Sequence, residues 1–209
     1  MGSEKMKITR PAETSLDLVF VIDKSGSMYG SQEDIIGGFN SFVDEQKSKD
    51  ENTKVTTVFF NHDYELVYKR RPIDQVGQLT HDDYRVGGTT ALLDAIGKTV
   101  VDLEKEIKNK VLFVIMTDGL ENASVEYKKS QIKSMIENHD WEFIFIGADI
   151  DSYGEAGSLG IHKSRVANYE KSARGYENVY SSITRAADYV RANRKLDESD
   201  WKDDLNEYD

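Results

Sequence analysis

A short apolar run that ends at an acid constrains this chain more than any other feature. Residues 18–22 (LVFVI) are continuously apolar and rich in β-branched and aromatic types, which is typical of a strand covered on both faces. Asp23 follows the run directly, and Ser25 and Ser27 come next on alternate positions. Gly26 lies between the two serines, where it favours a tight turn. The segment therefore predicts a buried strand that opens into an oxygen-rich loop.

Two further segments offer oxygen atoms at equivalent places. Residues 112–116 (LFVIM) predict a second buried strand, which runs through a threonine into Asp118. Residues 87–90 (GGTT) open a helical pattern just before that strand. In a parallel sheet with helical crossovers, strands end and helices begin along the same edge. We therefore expect Asp23, Asp118 and the threonines to converge.

Strand and helix patterns alternate along the whole chain. The apolar spacing predicts further strands at residues 54–60, 65–68, 141–146 and 163–167, and helices at residues 31–49, 90–108, 126–138, 153–159 and 176–194. Ser31 and Asp34 resemble a capping box at the start of the first helix. The short turn after residues 54–60 makes the next strand antiparallel, as is usual at a sheet edge. The predicted fold class is α/β, with a three-layer, doubly wound, mostly parallel sheet and one antiparallel edge strand.

Three motifs occur in a family's order: DKSGSM at residues 23–28, GGTTALLDAI at residues 87–96 and MTDGLENAS at residues 116–124. Together they resemble the von Willebrand factor type A (VWA) domain with its metal-ion-dependent adhesion site (MIDAS). The resemblance covers about residues 15–194. It implies a Rossmann-like VWA fold with strand order 3-2-1-4-5-6, in a bacterial, intracellular type of VWA protein.

The resemblance also implies a set of metal ligands: Asp23, Ser25, Ser27, Thr90 and Asp118. In the family the two serine hydroxyls bind the metal directly, while the threonine and the aspartates bind it directly or through water. The threonine is open to two assignments. Thr90 immediately precedes the matching helix segment and is preferred, although Thr89 follows the double glycine equally well.

The residue types of this set are hard ligands. Hydroxyl and carboxylate oxygens without histidine or cysteine favour Mg²⁺, Mn²⁺ or Ca²⁺ over zinc or copper. Mg²⁺ is the first choice, because short side chains in a small octahedral cage suit the smaller ion. Two carboxylates about 4 Å apart would repel each other by about 4 kcal/mol at an effective dielectric constant of about 20. A divalent cation would remove that penalty.

The predicted function is a non-enzymatic, metal-dependent protein-interaction module. An open position on the metal would accept an aspartate or glutamate from a protein partner, with specificity set by the surrounding side chains Met28, Tyr29, Leu120 and Glu121. The alternative is a metal-dependent hydrolase, acting on phosphoesters, that uses the same site; a structural domain with an idle site is a third reading. No nucleophile elbow, G-x-G-x-x-G or phosphate-cradling lysine motif supports an enzyme, so no catalytic residue is assigned.

Composition sets the remaining expectations. The 209 residues suit one domain, at residues 15–195, between an N-terminal extension at residues 1–14 and an acidic tail at residues 196–209. The tail is interpreted as a solvated end, although Trp201 and Leu205 could still dock it onto the domain. A formal net charge of -11 argues against nucleic acid or an anionic membrane as the main partner. Without an apolar leader or spanning segment, a cytoplasmic location is expected.

Overall fold

Six strands form one sheet in the computed structural model, which describes residues 15–205. They are β1 (Leu16–Asp23), β2 (Lys54–Phe60), β3 (Tyr64–Pro72), β4 (Lys110–Thr117), β5 (Glu142–Gly147) and β6 (Val166–Asn168). The spatial order is β3-β2-β1-β4-β5-β6. All neighbouring strands are parallel except β2 and β3. The predicted α/β fold, its strand order and its antiparallel edge strand are confirmed.

Helices cover both faces of the sheet. They are α1 (Gln32–Lys49), α2 (Leu92–Leu103), α3 (Lys129–Asn138), α4 (Ser152–Ser158) and α5 (Ala173–Arg191). Alternate residues of β1 point to opposite sides: Phe20 packs in the core with α1 and α5, and Val21 packs in the core with α2, α3 and α4. Because β1 is central and covered on both faces, its run is apolar without alternation. No helix within residues 15–205 is both long and apolar enough to cross a membrane.

Several helix ends differ from the predicted ones, and at the start of α3 tertiary hydrogen bonds take the backbone groups. The pattern predicts α3 from residue 126, but the backbone N–H groups of Val125, Glu126 and Tyr127 bind the Asp94 carboxylate at 2.9–3.0 Å, and the helix begins only at Lys129. Similarly, α2 ends well before the predicted residue 108. The capping box predicted at Ser31 does not form, since its side chain makes no capping hydrogen bond.

The acidic tail packs on the domain as far as the structure describes it. Trp201 and Leu205 are buried in the core cluster shared with α5, and the Trp201 Nε1 donates to the Ser164 carbonyl at 2.9 Å. Two of the tail's acids pair with arginines of the domain: Asp197 with Arg165 at 3.0 Å and Asp204 with Arg185 at 2.7 Å. The prediction of a solvated end is therefore wrong for residues 196–205. Residues 206–209 of the tail, and the predicted extension at residues 1–14, lie outside the described residues.

Candidate metal centre

Asp23 is the most constrained of the predicted ligands. It ends β1, where it is fully buried. The Ser25 backbone N–H donates to its Oδ1 at 2.6 Å, and the Thr117 hydroxyl donates to its Oδ2 at 2.6 Å. The Tyr84 hydroxyl donates to its backbone carbonyl. The carboxylate is thus fixed in one orientation at the carboxyl edge of the sheet, beside the end of β4.

The surroundings of Asp23 disfavour its charge. Burial raises its pKa from 3.8 to about 6, although the hydrogen bonds from Thr117 and Ser25 act to lower it, and the nearby charge of Asp118 raises it further. A carboxylate held out of water next to a second one is costly in isolation. A cation placed between them would reverse that cost.

The two serines extend the oxygen set from the same loop. The Ser25 and Ser27 hydroxyls lie 3.1 Å apart, and the Ser27 hydroxyl donates to Oδ1 of Asp118. Ser25 is buried, whereas Ser27 is exposed. The loop is held against its neighbour by the Gly26 N–H, which donates to the Gly88 carbonyl at 3.0 Å.

The glycine pair fixes how the threonines are presented. Gly88 has a φ of 82°, which favours glycine, and a Cβ there would lie 2.2 Å from the His62 ring. Beyond it, Thr89 is exposed and Thr90 is buried. The Thr90 N–H donates to the Asn122 side chain at 3.0 Å, and its carbonyl accepts from the Asn122 N–H at 3.0 Å. The backbone of Thr90 is therefore tied to the loop that follows Asp118.

Gly119 shows where the three loops meet. A Cβ atom at this position would lie 2.8 Å from Thr90 Oγ1, 3.3 Å from Ser27 Oγ and 3.5 Å from Asp23 Oδ2. Three of the predicted ligands, two from the end of β1 and the loop after it and one from the loop before α2, thus lie beside the space that the absent side chain of Gly119 leaves. Ser25 and Asp118 join the same group through their contacts with Ser27. The structure brings all five predicted residues together, with Thr90 turned inward and Thr89 outward.

Two acids, Glu121 and Asp94, tie these loops to each other. The Glu121 carboxylate accepts from the Leu93 N–H at 2.9 Å, at the start of α2. It also accepts from Ser124 in its own loop. Asp94, one turn into α2, binds the backbone of residues 125–127. The segment after β4 is therefore hydrogen-bonded to the start of α2, close to both Thr90 and Asp118.

Lys171 is a member of the site that the motifs did not indicate. It lies between β6 and α5, and its Nζ is 2.5 Å from Asp118 Oδ2, 2.9 Å from Asp149 Oδ2 and 3.4 Å from the Ser27 carbonyl. Burial acts to lower the pKa of Lys171, but the hydrogen bonds with Asp118 and Asp149 outweigh it and raise the pKa. Its position after the last parallel strand was the available signal, because that strand ends on the same edge.

The rim of the site only partly matches the expected specificity residues. Tyr29 is 82% exposed and Leu120 is 56% exposed, and each lies two residues beyond a predicted ligand. Met28 is fully buried in the core, so the expectation that it contacts a partner is wrong. Glu121 uses its carboxylate within the protein. Two large apolar side chains therefore remain on the rim.

The donor set suits a hard divalent cation. It consists of two carboxylates and three hydroxyls, with no nitrogen or sulfur, which is the chemistry of Mg²⁺, Mn²⁺ or Ca²⁺ sites. No group of three or more His, Cys, Asp or Glu side chains in residues 15–205 is arranged to hold a metal. Any such site here would therefore depend on the hydroxyls. The Thr90 and Ser27 hydroxyls both lie beside the space that Gly119 leaves, which is consistent with their use as ligands.

Comparison with known proteins finds one matching family model and several similar folds. A family model described as the von Willebrand factor type A domain matches residues 17–190. No curated protein matches the chain significantly. Among solved structures, the pilus adhesin SpaC from Lactobacillus rhamnosus GG, in an open conformation, superposes with a TM-score of 0.70 at 14% identity, over 88% of this chain and 31% of that one.

Two further structures show the same architecture. The vWF domain of the type V pili tip protein Mfa5 from Porphyromonas gingivalis has a TM-score of 0.61 at 11% identity, over 85% of this chain and 97% of that one. Proximal thread matrix protein 1 from the mussel byssus has a TM-score of 0.63 at 15% identity, over 83% of this chain. This chain spans 46% of the mussel protein's length. At these identities the likeness concerns the fold.

Proposed function

Because the chain belongs to the von Willebrand factor type A domain family, we propose that it is a protein-interaction module that works through a divalent cation. Domains of this family are generally adhesion or interaction modules. The observation that supports the metal-dependent part is that the Thr90, Ser27 and Asp23 oxygens all lie within 3.5 Å of the place where a Cβ on Gly119 would be. None of these three residues belongs to the apolar clusters that form the core between the sheet and the helices.

The proposed ligands are the five residues that the structure brings together: Asp23, Ser25, Ser27, Thr90 and Asp118. Mg²⁺ is the proposed ion, with Mn²⁺ or Ca²⁺ as substitutes. When bound, the cation would supply a Lewis-acidic position for an anionic oxygen. The proposed occupant of that position is an aspartate or glutamate side chain of a protein partner.

The rim supports a protein partner. Ser27 is exposed at the mouth of the site, so the position is accessible from outside. Exposed Tyr29 and Leu120 flank it and would pack against apolar residues next to the partner's acid. In this proposal the carboxylate provides the metal-dependent contact, and the apolar neighbours provide selectivity. A cytoplasmic location stays a prediction from the sequence.

No contact in residues 15–205 favours the hydrolase alternative. The Ser27 hydroxyl donates to a carboxylate. His139 binds a helix carbonyl, and His162 binds the Ser164 hydroxyl. Within the described residues no histidine is hydrogen-bonded to a proposed metal ligand, so the serine–base pairing of a nucleophilic enzyme is not set up there.

The adjacent threonines provide a matched test. Isothermal titration with MgCl₂, and with MnCl₂, compares the unaltered protein with Thr90→Val and Thr89→Val. Both substitutions replace one hydroxyl by a methyl group, but only the Thr90 hydroxyl lies beside the space that Gly119 leaves. We expect Thr90→Val to lose metal binding and Thr89→Val to retain it. Equal binding by both variants would refute the proposed site.

A pull-down experiment that tests for the protein partner uses the same two variants. A pull-down from the native organism in Mg²⁺ should capture a protein that EDTA releases, that Thr90→Val fails to capture and that Thr89→Val captures. Neutralising one acidic residue of that protein should abolish the interaction. A partner that binds regardless of metal and of Thr90 uses another face of the domain. Mg²⁺-dependent turnover of a generic phosphoester such as p-nitrophenyl phosphate would instead support the hydrolase.

A further inference from the structure

The ammonium group of Lys171 lies where the charge of a bound cation would be balanced. It contacts Asp118 Oδ2 at 2.5 Å, Asp149 Oδ2 at 2.9 Å and the Ser27 carbonyl at 3.4 Å. The Asp118 side chain is fully buried, and about a quarter of the Lys171 side chain is exposed. The lysine therefore reaches the site from its open side. Lys24, which lies within the first loop, pairs instead with Glu65.

Both oxygens of Asp118 have contacts without any metal. Oδ1 accepts from the Ser27 hydroxyl, and Oδ2 contacts Lys171. A carboxylate with a neighbouring ammonium has part of its charge neutralised, and it attracts a second cation less strongly. A divalent ion beside Asp118 would also repel the ammonium across a few ångströms in a poorly hydrated site. Metal binding therefore has to work against the lysine.

We propose that Lys171 is a tethered competitor that occupies Asp118 in the metal-free protein and thereby weakens the affinity of the site for divalent cations. This inference rests on the proposed function, since it concerns the same site. The lysine side chain turns away from Asp118 when metal binds and remains paired with Asp149. The competition sets a threshold: the site fills only at free cation concentrations high enough to displace the ammonium.

Asp149 makes this exchange possible. It lies just after β5, its side chain is 70% exposed, and it already contacts the same ammonium at 2.9 Å. A lysine with four rotatable methylene groups can keep this contact while its Nζ leaves Asp118. The lysine then does not have to become an unpaired charge when the metal enters. A purely structural ion pair would need only one of the two carboxylates.

Isothermal titration of the full chain with MgCl₂ tests the competition. The variants are Lys171→Met, which removes the charge at similar length, Lys171→Arg, which keeps the charge, and Lys133→Met as the matched control. Lys133 is an exposed helix lysine whose contact is with Glu137, so its replacement changes the net charge equally without touching the site. We expect Lys171→Met to bind Mg²⁺ at least about tenfold more tightly, and the other two variants to stay within about threefold of the unaltered protein.

A weaker or unchanged affinity of Lys171→Met would overturn the inference, because the lysine would then order Asp118 for the metal or have no effect on it. If the unaltered protein shows no binding while Lys171→Met binds, the competition is supported in a stronger form. If neither binds Mg²⁺, the proposed function itself fails. If both bind equally, only the competition fails.

Thermal melts provide a second readout that does not depend on titration heats. In EDTA, Lys171→Met should melt below the unaltered protein, because buried Asp118 loses its counter-ion. In saturating Mg²⁺ the difference should shrink or reverse, so the Mg²⁺-induced rise in melting temperature is larger for the variant. A rise no larger than that of the unaltered protein would contradict the competition. Lys171→Gln serves the same purpose if the methionine variant does not fold.

Discussion

Replacing Asp23 by asparagine should stabilise the metal-free protein at neutral pH. The folded protein raises the pKa of Asp23 from 3.8 to about 6, so the folded state binds the proton more tightly than the unfolded state does. The stability of the metal-free protein therefore falls as pH rises from about 4 to about 6, and stays lower above that. Each pKa unit corresponds to about 1.4 kcal/mol. A rise of about two units means that the ionised carboxylate destabilises the fold by about 3 kcal/mol.

Asparagine can keep the hydrogen bonds that hold Asp23. Its carbonyl oxygen can accept from the Ser25 N–H, as Oδ1 does now. Its amide N–H can donate to the Thr117 hydroxyl, which then gives its own proton to the Gly119 carbonyl, already 3.1 Å away. The substitution therefore removes the ionisation without leaving a buried polar group unpaired. The cost of the charge is then isolated from the cost of a lost contact.

Urea unfolding in EDTA measures the effect at two pH values. At pH 7.5 we expect Asp23→Asn to be more stable than the unaltered protein by up to about 3 kcal/mol, and at pH 4 by less than about 1 kcal/mol. Asp82→Asn, at an exposed position paired with Arg85, should show no such pH-dependent difference. A less stable Asp23→Asn at pH 7.5, or a difference that does not depend on pH, would refute the reasoning. In Mg²⁺ the order should reverse, because only the unaltered protein gains from binding.

Two further substitutions test the geometry of the site and of the tail. Gly119→Ala should abolish Mg²⁺ binding by titration, because its methyl group would lie 2.8 Å from Thr90 Oγ1 and would displace that hydroxyl. The same displacement should lower the metal-free stability by about 1–3 kcal/mol, and a normal affinity would show that the cation does not depend on the oxygens beside Gly119. Trp201→Ala should lower the free energy of unfolding by about 3–5 kcal/mol in urea, because the ring is fully buried. Tyr29→Ala, at an exposed aromatic, should leave stability within about 0.5 kcal/mol, and an equal loss in both variants would contradict the packed tail.

Much of the fold could be predicted from the sequence because the relevant signals are local. The central strands are short continuous apolar runs, which only a sheet covered on both faces explains. Their alternation with helical patterns fixes the fold class, and the short turn at residues 61–63 fixes the antiparallel edge. Asp23 and Asp118 could be placed together because parallel strands end on one edge. These steps require no knowledge of side-chain packing.

The errors concern contacts between segments distant in sequence. The helix patterns continue through residues 126–128 and 104–108, but the start of α3 depends on a carboxylate from α2, Asp94, which local periodicity cannot show. The tail is dominated by acids, and its charge pattern hides that Trp201 and Leu205 can be buried. In each case tertiary contacts overrode a local pattern.

Lys171 was missed for a related reason. The motif search followed loops with several oxygen-bearing side chains, and the loop after β6 has no such signature. Only the rule that every parallel strand ends on the same edge would have directed attention to it. β6 has three residues, so its own apolar signal is short. A motif can therefore leave out a residue of the site, even when every position of the motif is found in the sequence.

The combination of residues at this edge argues against a purely structural role. Asp23 destabilises the metal-free fold when it is ionised, and Asp118 is buried with an ammonium as its counter-ion. A side chain at Gly119 would displace the Thr90 hydroxyl from the other oxygens of the site. A domain kept only for its structure gains nothing from these choices, whereas a cation site needs each of them. An idle site would show the stability gain of Asp23→Asn in both EDTA and Mg²⁺, whereas a site that binds the cation shows it in EDTA and loses it in Mg²⁺.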